Sequence, residues 1–379
     1  MQRWKSLASI LAVVAGVIGA EHFYLWLRLV RDVGFAPSWE RGLTMLVGGL
    51  AASVPLAVVS SRVVAPRFSK WWVTPAYTWL GVSLVLTMVL AALDVLRLGV
   101  EMSARTVAAL ALVAGVGASV WAAVEGRRFR VERVEVPLAK LHPALDGFRL
   151  VQLSDVHLGP TTGRAFLSKV VDAVNRLSPD AVVVTGDLVD ASVEQLAADV
   201  APLARLSSKF GCFFVTGNHE YHAGAAAWCA HLTTLGVRVL RNERVELARG
   251  GHVVDLAGTD DSDAAGLAEG FREDLVRALA GRDMSRPLVL LAHQPKAVHA
   301  AAKNGVDLQL SGHTHGGQLW PLGWLLRVGQ PSVTGLRRFG EALLYVSRGT
   351  GHSGPPMRLA TPAEITEIIL RPMVRVPPT

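Results

Sequence analysis

Four long apolar runs crowd the first third of this 379-residue chain and restrict its fold more than any other feature. They lie at about 6–27, 42–61, 71–93 and 106–124, and the last three contain no Asp, Glu, Lys or Arg. Each is close to the roughly 20 residues an α-helix needs to cross the hydrocarbon core of a bilayer. In that medium a helix satisfies its backbone polar groups within its own segment. A four-helix transmembrane region over residues 1–130 is therefore expected. Arg3 and Lys5 ahead of the first run also fit the start of a cleaved signal peptide. A retained helix is preferred because three further spans follow, with Glu21 and His22 near its far end.

The formal charge of +7 belongs to this region. Of the 38 Lys and Arg, 13 precede residue 131, against 6 of the 31 Asp and Glu, which leaves 25 of each sign beyond it. A neutral second half argues against a nuclease or any nucleic-acid partner, whereas basic residues beside apolar segments suit anionic membrane lipid. With four spans, Arg3, Lys5, Arg62, Arg67, Lys70, Arg127, Arg128, Arg130 and Arg133 share one side. Arg28, Arg31, Arg41, Arg97 and Arg105 share the other. The positive-inside rule then predicts a multi-pass protein of the inner or plasma membrane whose second half faces the cytoplasm.

Residues 131–379 read as one α/β layered domain. Strands are expected at 148–154, 181–185, 212–216, 252–257, 287–292, 308–311, 342–347 and 364–370. Helices are expected at 163–177, 193–206, 225–235, 264–279 and 296–303. Polar motifs stand at the ends of five apolar runs: Asp155 and His157, Gly186-Asp187, Gly217-Asn218-His219-Glu220, His293, and His313 with His315. In open α/β sheets ligands bind at the carboxyl ends of the strands. Two Asp, one Asn and four His make a mixed oxygen and nitrogen donor set, which suits Mn, Fe or Zn better than Ca or a thiolate-preferring metal. Cys212 and Cys229 have no metal-site spacing. If Asp155-Val-His157 and His313-Thr-His315 are extended, period-two alternation puts both donors of each motif on one face.

These blocks, in this order, resemble the calcineurin-like metallophosphoesterases. So do the flanking Leu153-Ser-Asp-Val-His-Leu-Gly159, His313-Thr-His-Gly-Gly-Gln318 and Ser347-Arg-Gly-Thr-Gly351, and the apolar spans ahead of them are similar to those of transmembrane members. The resemblance implies a hydrolase of phosphoester or pyrophosphate bonds with two divalent ions, manganese foremost. It implies one ion on Asp155, His157, Asp187 and His315 and a second on Asp187, Asn218, His293 and His313, with Asp187 bridging through its two oxygens. His219 becomes the candidate proton donor and Glu220 a weaker candidate for orienting it. Because the superfamily includes UDP-2,3-diacylglucosamine pyrophosphatases, a lipid-linked substrate at the membrane is expected. The alternatives are a transmembrane sensor or transporter with a regulatory phosphoesterase domain, or a nuclease, which the neutral second half argues against.

Two further features stay outside this site. Asp260, Asp261 and Asp263 read as a solvated acidic loop. The apolar stretch 318–326, with Trp320 and Trp324, reads equally as a lid or core hairpin and as a surface for the bilayer or an acyl chain.

Overall fold

The structure is a computed structural model that describes residues 15–373. It divides into two compact units. One holds the residues up to Arg127 together with Gly354–Leu359; the other holds Arg128–Ser353 and the chain from Ala360 onward.

In the first unit, three helices are long and apolar enough to cross a membrane: Pro37–Ser61 within helix Pro37–Val63, Pro66–Leu96, and Ala104–Glu125. Two of these begin with proline, whose fixed φ and missing N–H suit a first turn. The third is capped by Ser103, whose side chain accepts from Thr106 N–H. The described residues thus give three candidate spans rather than four. Residues 15–26 are helical and pass into a π-turn at Leu27–Arg31, while the start of the expected first span lies outside the described residues. Large apolar side chains such as Met45, Trp71 and Val113 point outward, as lipid-facing residues would. Gly115 lets Leu86 approach its backbone, the small-residue packing common between membrane helices. Some polar groups in this unit pair with one another: Arg28 with Asp94 at 2.7 Å, and Trp79 Nε1 donating to His22 Nε2 at 2.8 Å.

The second unit stacks two six-stranded sheets. The first runs β1 (Phe129–Leu138), β12 (Ala363–Pro372), β2 (Phe148–Leu153), β3 (Ala181–Thr185), β4 (Cys212–Val215), β5 (Val237–Val239). The second runs β10 (Gly335–Phe339), β11 (Ala342–Val346), β9 (Leu308–Ser311), β8 (Leu288–Leu291), β7 (His252–Gly258), β6 (Glu243–Arg249). Strands β2 to β5 pair in parallel, as do β11, β9, β8 and β7. Parallel strands covered on both faces need continuous apolar runs, and Ala-Val-Val-Val-Thr in β3 and Leu-Val-Leu-Leu in β8 are buried throughout. Leu150, Val183 and Phe213 meet Leu256, Val289, Leu291 and Leu310 between the sheets. Alternate residues Val151, Leu153, Val182 and Val184 pack outward with Leu167, Val170 and Val174 of helix Arg164–Arg176. The result is a helix–sheet–sheet–helix sandwich whose central strands end together.

Several expectations need correction. Strands β1, β5, β6 and β10 were not foreseen. The single helix expected over 264–279 is two short turns, Ala264–Leu267 and Leu275–Ala278. Gly270 at φ +76° separates them, and Asp274 caps the second turn by accepting from Arg277 N–H. Asp260 and Asp261 are buried rather than solvated. Asp260 pairs with Arg241 at 3.0 Å, and Gln294 donates to Asp261 at 3.0 Å.

Candidate metal centre

Each motif residue sits just past the carboxyl end of a strand: Asp155 and His157 after β2, Asp187 after β3, Asn218 and His219 after β4, His293 after β8, His313 and His315 after β9. Their side chains do not converge by strand alternation. Asp155, His157, Asp187, His313 and His315 all have φ between 50° and 72°, the left-handed region. Entering that region costs a non-glycine residue roughly 1–2 kcal/mol. The strain is imposed by close packing: a Cβ on Gly186, itself at φ +85°, would lie 2.6 Å from Gly217 N and 2.7 Å from His293 Nδ1. A Cβ on Gly312 would overlap Ser154 Oγ and Asp155 Oδ2. The segment Ser347–Gly351 holds the first loop in place, since Thr350 N–H donates to Ser154 O at 2.7 Å and Gly351 N–H to Asp155 O at 3.0 Å.

Among the described residues His157, Asp187 and His219 offer one donor group, and two further groups flank it. Asp155, His157 and His315 form one, with the two Nε2 atoms 3.0 Å apart and His315 Nε2 3.5 Å from Asp155 Oδ1. Asp187, His293 and His313 form the other, joined by Asn218, whose Oδ1 is 3.2 Å from His293 Nε2 and 3.1 Å from His313 Nδ1. Asp187 stands between them, but one oxygen faces both: Oδ2 is 3.3 Å from His293 Nε2 and 3.8 Å from His157 Nε2. Its Oδ1 accepts His219 N–H at 2.9 Å. Oδ2 is thus the Asp187 oxygen that faces both donor groups.

The hydrogen bonds behind the rings test whether cations fit here. His293 Nδ1 lies 2.7 Å from the Thr185 carbonyl, which can only accept, so Nδ1 carries the proton. His157 Nδ1 likewise donates to Asp190 Oδ1 at 2.8 Å. In the neutral tautomers both Nε2 lone pairs then point at carboxylate, amide oxygen and other ring nitrogens. Such acceptors packed against acceptors call for positive charge between them, and a second partner fixing each tautomer is the usual arrangement behind metal-binding histidines. Burial disfavours a charged His293, yet Asp187 prevails and raises its pKa well above the ordinary value. Burial, aided by His293, lowers His313 to about 4. The residues fit two divalent cations.

His219 differs from these donors: it is one-third exposed and its Nε2 is 4.0 Å from Asp187 Oδ2. Its Nδ1 is 2.7 Å from Asp190 Oδ1. Burial works against the imidazolium, but Asp187 and Asp190 outweigh it and push the pKa up to about 10. Asp190 is thus the orienting group, and sequence reasoning missed it. No sequence signal marked it: it stands in a loop three residues after Asp187, which the bridge of Leu158 to Val189 ties to the loop after β2. Glu220 is fully buried and orients the backbone instead of His219. Its two oxygens accept from Asp187, Leu188, Val189 and Gly217 N–H at 2.7–3.2 Å.

Residues 148–317 match the calcineurin-like phosphoesterase family. A Danio rerio protein described as a transmembrane protein with metallophosphoesterase domain is 36% identical over 388 residues, covering 92% of this chain and 89% of that protein. A Bos taurus protein of the same description is 44% identical over 252 residues, 64% of this chain and 57% of its own length. A metallophosphoesterase of Helicobacter pylori is 37% identical over 247 residues, 65% of each chain. The first alignment extends through the apolar helices as well as the sheets.

Proposed function

This chain belongs to the calcineurin-like metallophosphoesterases, hydrolases of phosphoric esters, and on that premise we propose that it holds two divalent ions, manganese foremost, and cleaves a phosphoester or pyrophosphate bond of a lipid-linked substrate at the membrane. The observation that carries the reading is the convergence of both donor groups on Asp187 Oδ2. Asp155, His157, His315 and Asp187 would hold one ion; Asp187, Asn218, His293 and His313 would hold the other. Bound there, the pair would supply the Lewis-acid charge that lowers the pKa of a water nucleophile and offsets charge on the phosphoryl oxygens.

The chain's own residues do the rest. Asp190 and Thr185 O fix the tautomers of His157 and His293, so that each presents Nε2 to the centre. His219 keeps its proton at neutral pH and presents Nε2 at the open side, where it donates to the leaving oxygen. Asp190 accepts from Nδ1 and stabilises the charged ring until that transfer. Glu220 ties the loop after β3 to the loop after β4, which keeps Asp187 beside Asn218.

Membrane topology supports a cytoplasmic site. Arg62, Arg67 and Lys70 lie where helix Pro37–Val63 meets helix Pro66–Leu96, and the segment with Arg127, Arg128, Arg130 and Arg133 follows two candidate spans later, so the two clusters share a side whatever the fate of the first helix.

The test is hydrolysis of bis(4-nitrophenyl) phosphate by the purified full-length chain. Activity is expected with added Mn²⁺, with loss on chelation and in Asp187→Ala. His219→Ala is expected to lower kcat by about 10²–10⁴-fold while retaining metal. Turnover indifferent to chelation and to both substitutions would overturn the mechanism.

A further inference from the structure

Directly after the metal motif the chain enters a segment that the hydrolytic chemistry leaves unexplained. Gln318, three residues past His315, is held at its base: Nε2 donates to Ser353 O at 3.0 Å, Oε1 accepts from Ser353 N–H at 2.9 Å, and its carbonyl accepts from Thr361 Oγ1. Gly317 packs against Gly323 with no room for a side chain on either, so the turn closes tightly. Leu319 is buried, and beyond it the segment turns outward. Helix Gly323–Leu326 buries none of its residues. Trp324 is 60% exposed, Leu325 70% and Val328 92%, and Trp320 stacks edge-on against Trp324 at 5.8 Å.

A rigid base carrying a bare Trp, Leu and Val tip is costly to keep in water. The segment's own charge is basic: residues 319–328 carry Arg327 and no Asp or Glu. Arg327 is exposed and forms no ion pair among the described residues. Tryptophan and leucine beside unpaired arginine match an anionic bilayer interface, where indoles and aliphatic chains enter the headgroup boundary and guanidinium groups meet lipid phosphate. The apolar helices of the same chain make a bilayer the surface at hand.

We infer that residues 319–328 seat in the bilayer interface and deliver a lipid phosphate to the adjacent metal centre. The inference deepens the proposed hydrolysis of a lipid-linked substrate and rests on it for the delivery step, but the seating itself is tested separately.

The experiment uses the full chain reconstituted in vesicles of phosphatidylcholine with one-third phosphatidylglycerol. An environment-sensitive fluorophore is placed on Leu325→Cys, with Cys229→Ser removing the partly exposed native thiol. The control carries it on Val276→Cys, an equally exposed position of the same unit. Lipid-borne nitroxides are expected to quench the 325 probe at least twofold more than the 276 probe, and equal quenching overturns the seating. In parallel, Trp324→Asp/Leu325→Asp is expected to lower hydrolysis of a lipid phosphodiester in these vesicles at least tenfold with bis(4-nitrophenyl) phosphate turnover unchanged. An equal fall on both substrates overturns the delivery role in favour of a structural one. A wild-type chain that hydrolyses neither substrate defeats the phosphoesterase reading, while the quenching ratio still decides whether the segment meets lipid.

Discussion

Asp190 Oδ1 serves two rings at once, His157 at 2.8 Å and His219 at 2.7 Å. Asp190→Asn keeps the shape and removes the charge, so a ring losing that carboxylate binds its proton less tightly and its pKa falls. Ions on Asp187 would offset that residue's share of the rise toward about 10, leaving Asp190 as the main support of a protonated His219. The alkaline limb of the pH–rate profile, where a proton donor fails, is therefore expected at lower pH in Asp190→Asn than in the parent. Metal affinity or activity should drop about 10- to 100-fold, as for other groups that orient a ligand. At this scale the donors were legible because few side chains offer such nitrogen and oxygen atoms, and seven of them stood at strand ends. Asp190 was not, since an Asp in a loop carries no mark of what it faces. The left-handed backbone at Asp155 or His315 was equally hidden, because it is imposed by neighbours such as Gly186 and Gly312 from other parts of the chain.

Among elements, the buried strands were the easy ones. The four that escaped, β1, β5, β6 and β10, are the four edges of the two sheets. Edge strands are protected by charge, and Phe-Arg-Val-Glu-Arg-Val-Glu in β1 or Glu-Arg-Val-Glu-Leu-Ala-Arg in β6 consequently reads as a polar surface segment. The helix over 264–279 failed for the opposite reason: its apolar spacing was helical, but Gly270 and the Asp274 cap break it. Glu220 illustrates how loops between elements are held. Its carboxylate accepts from four backbone N–H groups on two loops, and unpaired buried donors cost about 1–3 kcal/mol each. Glu220→Ala is expected to destabilise the catalytic unit by at least about 3 kcal/mol in denaturant titration, with Glu220→Gln intermediate. A neutral Glu220→Ala would refute the bracing role.

At the scale of the whole molecule, composition located the apolar region, and three spans among the described residues agree with it. The charge bias gives a topology prediction: a fluorescent protein fused after the C-terminus should fold and glow on the cytoplasmic side. Neutralising Arg62, Arg67, Lys70, Arg127, Arg128 and Arg130 together should divert a fraction of chains to the other orientation, read by protease protection. The two donor groups add a consequence for mechanical integrity. Asp155, His157, Asp187 and Asn218 extend from one sheet, His293, His313 and His315 from the other, and each group draws on both. An ion in either place is therefore a cross-link between the two halves of the sandwich, fastening the end where the strands stop. Since ligand bound only to the folded state stabilises it by about 2.7 kcal/mol at a hundredfold excess over Kd, Mn²⁺ should raise the Tm of the catalytic unit and chelation lower it. Asp187→Ala, which removes the carboxylate that faces both groups, should abolish that response. The ions would then be both reagents of the reaction and rivets of the fold that performs it.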